Sequence, residues 1–569
     1  PRGDVWTYKA QKFARRHAAP LTAGAAVTLG AIALTAFYTH RLTVERDRAE
    51  LAATQATEVS GFLSTIFKSA SPFVAQGETV TAIDLLEQAA ARIETLAGQP
   101  ELQAKLSRIV GESYIGLGEF EKAQTLFQRA VELSGGAEPG DVETLIAAYN
   151  GLAESKRNLG AYDDALANRR RALGLSQRFY GDSHPATAGV RARIGATLSS
   201  AGDCGEAIPI LQDAANVLKD EHGEYANIRL NALGVLAVCY DTAGRYDEAE
   251  AIGREIVRDS EETLGALEPN TIIRISNLAL VLRRQWKLEE AAALFETAVD
   301  RADRTLPDGH ADRAYYRFVL ANALQKLGRF SEVEALNRAI TEQTLQTSGA
   351  ESLDYAVRLY GWGGYYRDTG DLPAAIEAFS SAASLSDALQ GETSYVSVIS
   401  RINLAASLAD GGDLASAEAT LNAIEPSLET VGADHQANAH MARAQIYSAR
   451  GEFAEATEMF DRIAADAEAR VSADSPAMLP LLTAMAAHFR RAGDVGRAVS
   501  LGERAAAIGD AALPEGNWIA ALAKVEYAKA LAENGAADEP LATAAAACRD
   551  LVATFGPDSA RITALGVCI

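Results

Sequence analysis

Ala237-Val238-Cys239-Tyr240-Asp241-Thr242-Ala243-Gly244-Arg245-Tyr246-Asp247-Glu248-Ala249 holds a pattern that governs most of this chain. A small residue (Ala237) is followed by a bulky one (Tyr240), a glycine (Gly244), an aromatic (Tyr246) and an alanine (Ala249). The series returns around Gly118, Gly160, Gly202, Trp286, Gly328, Gly370, Gly412, Gly451, Gly493 and Gly535, and of the ten intervals nine are 42 residues and one is 39. Seven residues before this slot, all eleven repeats carry Gly or Ala; four before it only Lys156 breaks a bulky column. Spacings of three, four and seven put the small and bulky positions on one helical stripe. Small residues let two helices approach, and the glycine ends the first helix as a left-handed residue. Each helix–turn–helix leaves an apolar side that its neighbour must cover. The pattern predicts an all-α fold: a right-handed helical solenoid of about eleven repeats over residues 80–569, with a concave groove.

The small–bulky–Gly–aromatic–Ala series resembles the tetratricopeptide repeat (TPR) family, in its long kinesin-light-chain-type variant. That variant's L-G-x-x-H-P element is matched by Tyr180-Gly181-Asp182-Ser183-His184-Pro185 and by Leu264-Gly265-Ala266-Leu267-Glu268-Pro269. Weaker echoes stand at Gly432-Ala433-Asp434-His435 and Gly556-Pro557-Asp558. The resemblance implies a module that binds a protein or an extended peptide.

Composition narrows the remaining classes. Of 569 residues, 48% are hydrophobic and only 7% aromatic, which suits helices more than sheets. The net charge is −23, yet residues 1–41 hold six basic side chains and one acidic one. So acidic a body is a poor general binder of nucleic acid, which demands phosphate-neutralising cations. No G-x-x-x-x-G-K-S/T loop, H-E-x-x-H helix, G-x-S-x-G elbow or H-R-D and D-F-G pair occurs, so no catalytic residue, cofactor or metal ligand is assigned. Acidic pairs such as Glu289-Glu290 read as solvated helix faces. The four cysteines fit no zinc spacing. Cys204 and Cys239 read as separate buried thiols, and whether Cys548 and Cys568 pair is open.

Residues 18–38 run for 21 positions without a charge, about 31 Å as a helix, which matches a bilayer core. Five Lys or Arg precede the run and Arg41, Arg46 and Arg48 follow it. The positive-inside rule then places residues 1–17 in the cytoplasm as a basic tail and residues 18–39 across an inner membrane. A juxtamembrane helix follows over 41–73, and the solenoid lies outside, in the periplasm. Ala26-x-x-x-Gly30 would permit two chains to pair as a homodimer. The stretch Tyr8–His17, the run Val59 to Pro72 and Thr81-Ala82-Ile83-Asp84-Leu85-Leu86 resemble the region after the catalytic domain of bacterial transmembrane Ser/Thr protein kinases with C-terminal TPR arrays. That resemblance implies the non-catalytic sensor arm of a kinase, since no kinase domain is present in the chain. A stand-alone membrane-tethered scaffold and a membrane-bound transcription regulator are the alternatives. The first residue is Pro1, which fits a fragment or a processed product.

By the TPR resemblance, positions 2, 3, 6, 9, 10 and 13 before the glycine slot face the groove. In the fifth to eighth repeats these include Asn277, Arg283, Arg284, Tyr315, Phe318, Asn322, Lys326, Tyr360, Arg367 and Asn403. Asn amides can bond a peptide backbone on both sides, and Arg and Lys can hold carboxylates. A basic, aromatic patch in an acidic chain is therefore expected there.

Overall fold

The recurring turn forms as its residues dictate. The Gly244 N–H donates to Asp241 O at 3.1 Å and the Arg245 N–H to Tyr240 O at 2.8 Å. These bonds close the first helix with Gly244 at φ 72°, a backbone state that costs glycine nothing. The small column serves close approach. A Cβ on Gly195 would lie 2.5 Å from Leu211, and one on Gly363 would lie 2.7 Å from Phe379. Each glycine thus accommodates the bulky residue nine positions past the turn.

A computed structural model describes residues 5–17, 34, 35, 37–43, 46, 81–96, 98–135, 142–535 and 539–565. The described residues form helices and connections, with no strand. Eleven helix pairs run from Pro100–Gly116 with Phe120–Ser134 to Trp518–Glu533 with Glu539–Phe555. One helix, Ala82–Glu94, precedes them, and a short one, Ala560–Leu565, follows. Thr81 starts Ala82–Glu94 with a capping box to Asp84.

The chain divides into two compact units, residues 1–190 and 191–569. In the first, Ile93, Leu106, Tyr114, Phe127 and Leu152 build the core. Lys156, the exception in the bulky column, turns outward and pairs with Asp164 at 2.6 Å. Arg169 is only 2% exposed. It donates to the Asn150 carbonyl at 3.0 Å, to Asn150 Oδ1 at 2.9 Å and to Glu154.

The second unit closes on itself. The turns of its earlier helix pairs rest on its later helices. Trp286 and Leu288 sit in one core cluster with Phe460, Leu482, Met485 and Phe489. Asn517 Nδ2 donates to Lys326 O and Trp518 Nε1 to Gln325 O, both at 2.9 Å. Phe330 packs with Trp518, Leu551 and Ile562. At Gly370 the backbone of Arg561 is so near that a Cβ would lie 2.6 Å from its nitrogen.

Two expectations are corrected. Cys204 and Cys239 are joined in a disulfide, their Cα atoms 5.1 Å apart. Cys204 fills the aromatic slot two past Gly202, and that slot faces the first helix of the next pair, where Cys239 stands. Cys548 is disulfide-bonded as well. The inner-membrane, single-pass location is also corrected: among the described residues no helix is long and apolar enough to cross a membrane. The reason is periodicity, since the helices carry charge beside their apolar stripes. The 19-residue helix Tyr162–Tyr180, for instance, holds Asp163, Asp164 and four arginines. The expected span 18–39 and juxtamembrane helix 41–73 lie outside the described residues except for 34, 35, 37–43 and 46, and so does the Ala26–Gly30 pairing face. Within the expected tail 1–17, Val5–Arg16 is helical.

Candidate functional site

Because the second unit closes, part of its concave face becomes a cavity of about 670 Å³. That size suits a small ligand or a short peptide segment. Its wall comes from first helices of successive pairs: Ile402, Asn403, Ala406 and Asp410 from one, Asn438, Met441, Ala442 and Gln445 from the next, then Pro480, Thr483, Ala484, Ala487 and Arg491. The 42-residue period explains this choice, because these side chains stand 2, 6, 9, 10 or 13 positions before their glycines. Trp286, Lys326, Arg367, Asp368, Trp518 and Arg561 are among the residues that line the rest.

The wall is cationic on balance, with Lys326, Arg367, Arg491 and Arg561 against Asp368 and Asp410, in a chain of net charge −23. The acids are engaged within the wall. Asp368 accepts from Gln325 Nε2 at 2.6 Å. Asp410 lies 4.0 Å from Arg367 Nε. Its side chain keeps about half its surface (48%) on the cavity wall. Burial pushes its carboxyl up, against the charges of Arg367 and Arg561. Burial pushes the Arg561 guanidinium down, opposed by Asp368 and Asp410, and its Nε has no hydrogen-bond partner.

Lys326 differs from the rest. Its Nζ lies 4.2 Å from the centroid of the Trp286 ring, and it has no ion-pair partner among the described residues. Burial, aided by the charge of Arg283, pushes its ammonium down to about 8, and Asp368 only partly offsets this. An ammonium without a carboxylate is costly inside protein unless an anion arrives.

Of the ten residues expected in the groove, Lys326, Arg367 and Asn403 line this cavity. Asn403 is not free to hold a peptide backbone. Its Nδ2 donates to Ile399 O at 2.9 Å, and its Oδ1 accepts from Arg367 at 2.9 Å. Tyr360 lies beside it, with its hydroxyl 3.5 Å from Asn403 Nδ2. The others lie off the cavity wall. Arg284 pairs with Asp241 at 3.3 Å. Arg283 is half-buried, its Nε lacks a partner and burial pushes its guanidinium down. Phe318 lies under Arg358, 4.9 Å from centroid to guanidinium. Tyr315 and Asn277 are exposed and Asn322 is half-buried. The reading missed Asp368, Asp410 and Arg491, although each stands two before its glycine, as Lys326 does. It also missed Trp286 and Arg561, which only closure brings in. Among the described residues no group of three His, Cys, Asp or Glu side chains could hold a metal ion.

Family models agree with the repeat architecture. Tetratricopeptide repeat models match residues 109–135, 144–220, 192–262, 271–312, 398–423 and 437–462. Protein KINESIN LIGHT CHAIN-RELATED 1 of Arabidopsis thaliana is 26% identical over 211 residues, covering 36% of this chain and 33% of its own. KINESIN LIGHT CHAIN-RELATED 2 of the same plant is 26% identical over 171 residues, covering 30% and 26%. The chain thus spans about a third or less of the curated relatives it matches. Among solved structures, a Rap protein complexed with competence and sporulation factor aligns with TM-score 0.45 and 15% identity, over 64% of this chain and 98% of its own. BtubC from P. vanneervenii aligns with TM-score 0.36 and 17% identity, over 41% and 93%. These matches give no support to the kinase resemblance, and the run Val59 to Pro72 behind it lies outside the described residues. The matched helix pairs are tetratricopeptide repeats.

Proposed function

We propose that residues 191–569 are a receptor for a protein partner, which they hold by an extended acidic segment threaded into the cavity. The supporting observation is electrostatic: an acidic chain turns four cations into one cavity, and Lys326 among them has no ion-pair partner among the described residues. An acidic side chain of the partner would supply it. Charge-assisted hydrogen bonds contribute about 1.5–3 kcal/mol each. The cavity is too small for a folded partner, so the partner offers a segment, as peptide-binding grooves require.

The test uses the full chain and two fluorescent probes, acetyl-hexaglutamate amide and acetyl-hexalysine amide, followed by anisotropy. The acidic probe should bind and the basic one should not. Lys326→Glu with Arg491→Glu should abolish binding while the helical signal and melting profile stay close to those of the parent. Equal binding of both probes, or binding indifferent to the charge reversals, would remove the proposal.

A further inference from the structure

Ten of the eleven repeats place glycine at the turn, and every one of those glycines has positive φ. The fifth places Trp286 there, at φ 61°, the sole non-glycine residue with positive φ among those described. A bulky side chain pays steric strain in this state, and such strain persists only where the surroundings impose it. The turn itself does not require a tryptophan. The Trp286 N–H donates to Arg283 O at 3.1 Å and the Lys287 N–H to Leu282 O at 2.9 Å, the same bonds that glycine makes in the other repeats. Packing accounts for part of the choice, since the indole is 8% exposed and joins the cluster of Phe460, Leu482 and Met485. It does not account for the ring lining the cavity beneath a cation.

We propose that Trp286 is a positioning residue of the cavity: its left-handed backbone sets the indole under Lys326 and holds the ammonium, unpaired, as the receptor for one carboxylate of the bound segment. This rests on the peptide-receptor reading above. The ring face stabilises the cation without neutralising it. A carboxylate in its place would pair with the ammonium and close the site. Lys326 makes no hydrogen bond through Nζ within the described residues, so its donors remain for the cavity. The charged groups around it are Arg283 on the neighbouring first helix, Asp368 and Arg367 on the next, and Asp410, Arg491 and Arg561 across the space. Of these, Arg283 repels the ammonium and Asp368 attracts it, from the far side of its bond to Gln325.

A double-mutant cycle on the full chain tests this, with acetyl-hexaglutamate amide as probe. Acetyl-(Gly-Ser)3 with a free C-terminus is a second probe, which separates a side-chain carboxylate from a terminal one. Trp286→Leu keeps apolar bulk and removes the ring; Lys326→Met removes the charge. Each should weaken the carboxylate probe about tenfold, and the double variant should bind no worse than Lys326→Met alone. Probe affinity in the parent should fall as pH rises through about 8, where Lys326 loses its proton. In Trp286→Leu that midpoint should move down, because the cation loses the ring face that stabilises it while apolar bulk remains. A merely structural tryptophan would change the melting profile and leave the midpoint where it was. Additive losses, or an unmoved midpoint, would overturn the role of Trp286 while leaving the receptor reading intact. Indifference of both probes to Lys326→Met would instead remove the receptor reading itself.

Discussion

Replacing Gly370 with alanine should open the second unit, and replacing Gly412 should not. Both glycines end first helices in the same left-handed state, φ 89° and 87°. Alanine there costs about 1–2 kcal/mol at either place. Their surroundings differ. A Cβ at 412 meets nothing within 4 Å, whereas at 370 it lies 2.6 Å from Arg561 N, 2.8 Å from its Cα and 3.1 Å from Ala560 C. Those are backbone atoms and cannot swing aside. The helix Ala560–Leu565 must shift, and it is anchored by Ile562, 1% exposed among Phe330, Trp518 and Leu551. Exposing a side chain of that size costs about 1.5–3 kcal/mol. Gly370→Ala should therefore cost about 2.5–5 kcal/mol in total, against about 1–2 kcal/mol for Gly412→Ala. A single melting temperature is a poor readout, because repeat arrays open locally. Hydrogen exchange by mass spectrometry reads each segment. Peptides covering 518–533 and 560–565 should lose protection by about 10–150-fold in Gly370→Ala, from about 1.5–3 kcal/mol of lost docking, and stay near the parent in Gly412→Ala. Matching profiles in the two variants would refute the closure as a stabilising contact.

Three further outcomes are expected. Lys326 has a folded value depressed to about 8, so between there and the unfolded value near ~10.4 the unfolded chain holds the extra proton; stability then rises with pH, by up to about 1.4 kcal/mol per unit. Urea titrations at pH 7.5 and 10 should show that rise in the parent and a smaller one in Lys326→Met. In the first unit, Arg169→Met should cost about 3 kcal/mol in local exchange, because Glu154 loses its buried partner and keeps Arg157 and a long hydrogen bond from Asn158. Burial alone would raise the Glu154 carboxyl, but the hydrogen bond from Arg157 and the charge of Arg169 hold it below its ordinary value. Its contribution is thus present above about pH 4.3 and lost as pH falls further. Reduction of Cys204–Cys239, which links residues 35 apart in sequence, should destabilise the helices around it by about 3–4 kcal/mol. Cys204→Ala with Cys239→Ala should match the reduced parent in those helices, whose protection should no longer respond to reductant.

What the sequence disclosed follows from which interactions are local. Helix, turn and hairpin depend on residues within 42 positions of one another, so Gly244, Tyr246 and Ala249 with their recurrences sufficed for the architecture. The groove register is equally periodic, which is why Lys326 and Arg367 could be named and why Asp410 and Arg491 could have been. Closure is different. It joins Lys326 to Asn517 and Gly370 to Arg561, about 190 residues apart, and no repeat period encodes such a pairing. One local sign did exist: a tryptophan at a slot that otherwise held only glycine. The cysteine reading failed because it treated each thiol within its own repeat, while the bond spans two. The membrane location is overturned on the described helices, which carry charge beside their apolar stripes; the charge-free run 18–38 lies largely outside the described residues.

The receptor reading is tested most directly by unbiased selection. A displayed library of random seven-residue peptides would be panned against the full chain at moderate salt. The chain with Lys326→Glu and Arg491→Glu serves as the counter-target. The account predicts enrichment of peptides rich in Asp and Glu, bound by the parent and released by the charge-reversed chain. Enrichment of sequences without acidic residues, or of acidic peptides that the charge-reversed chain retains equally, would contradict it.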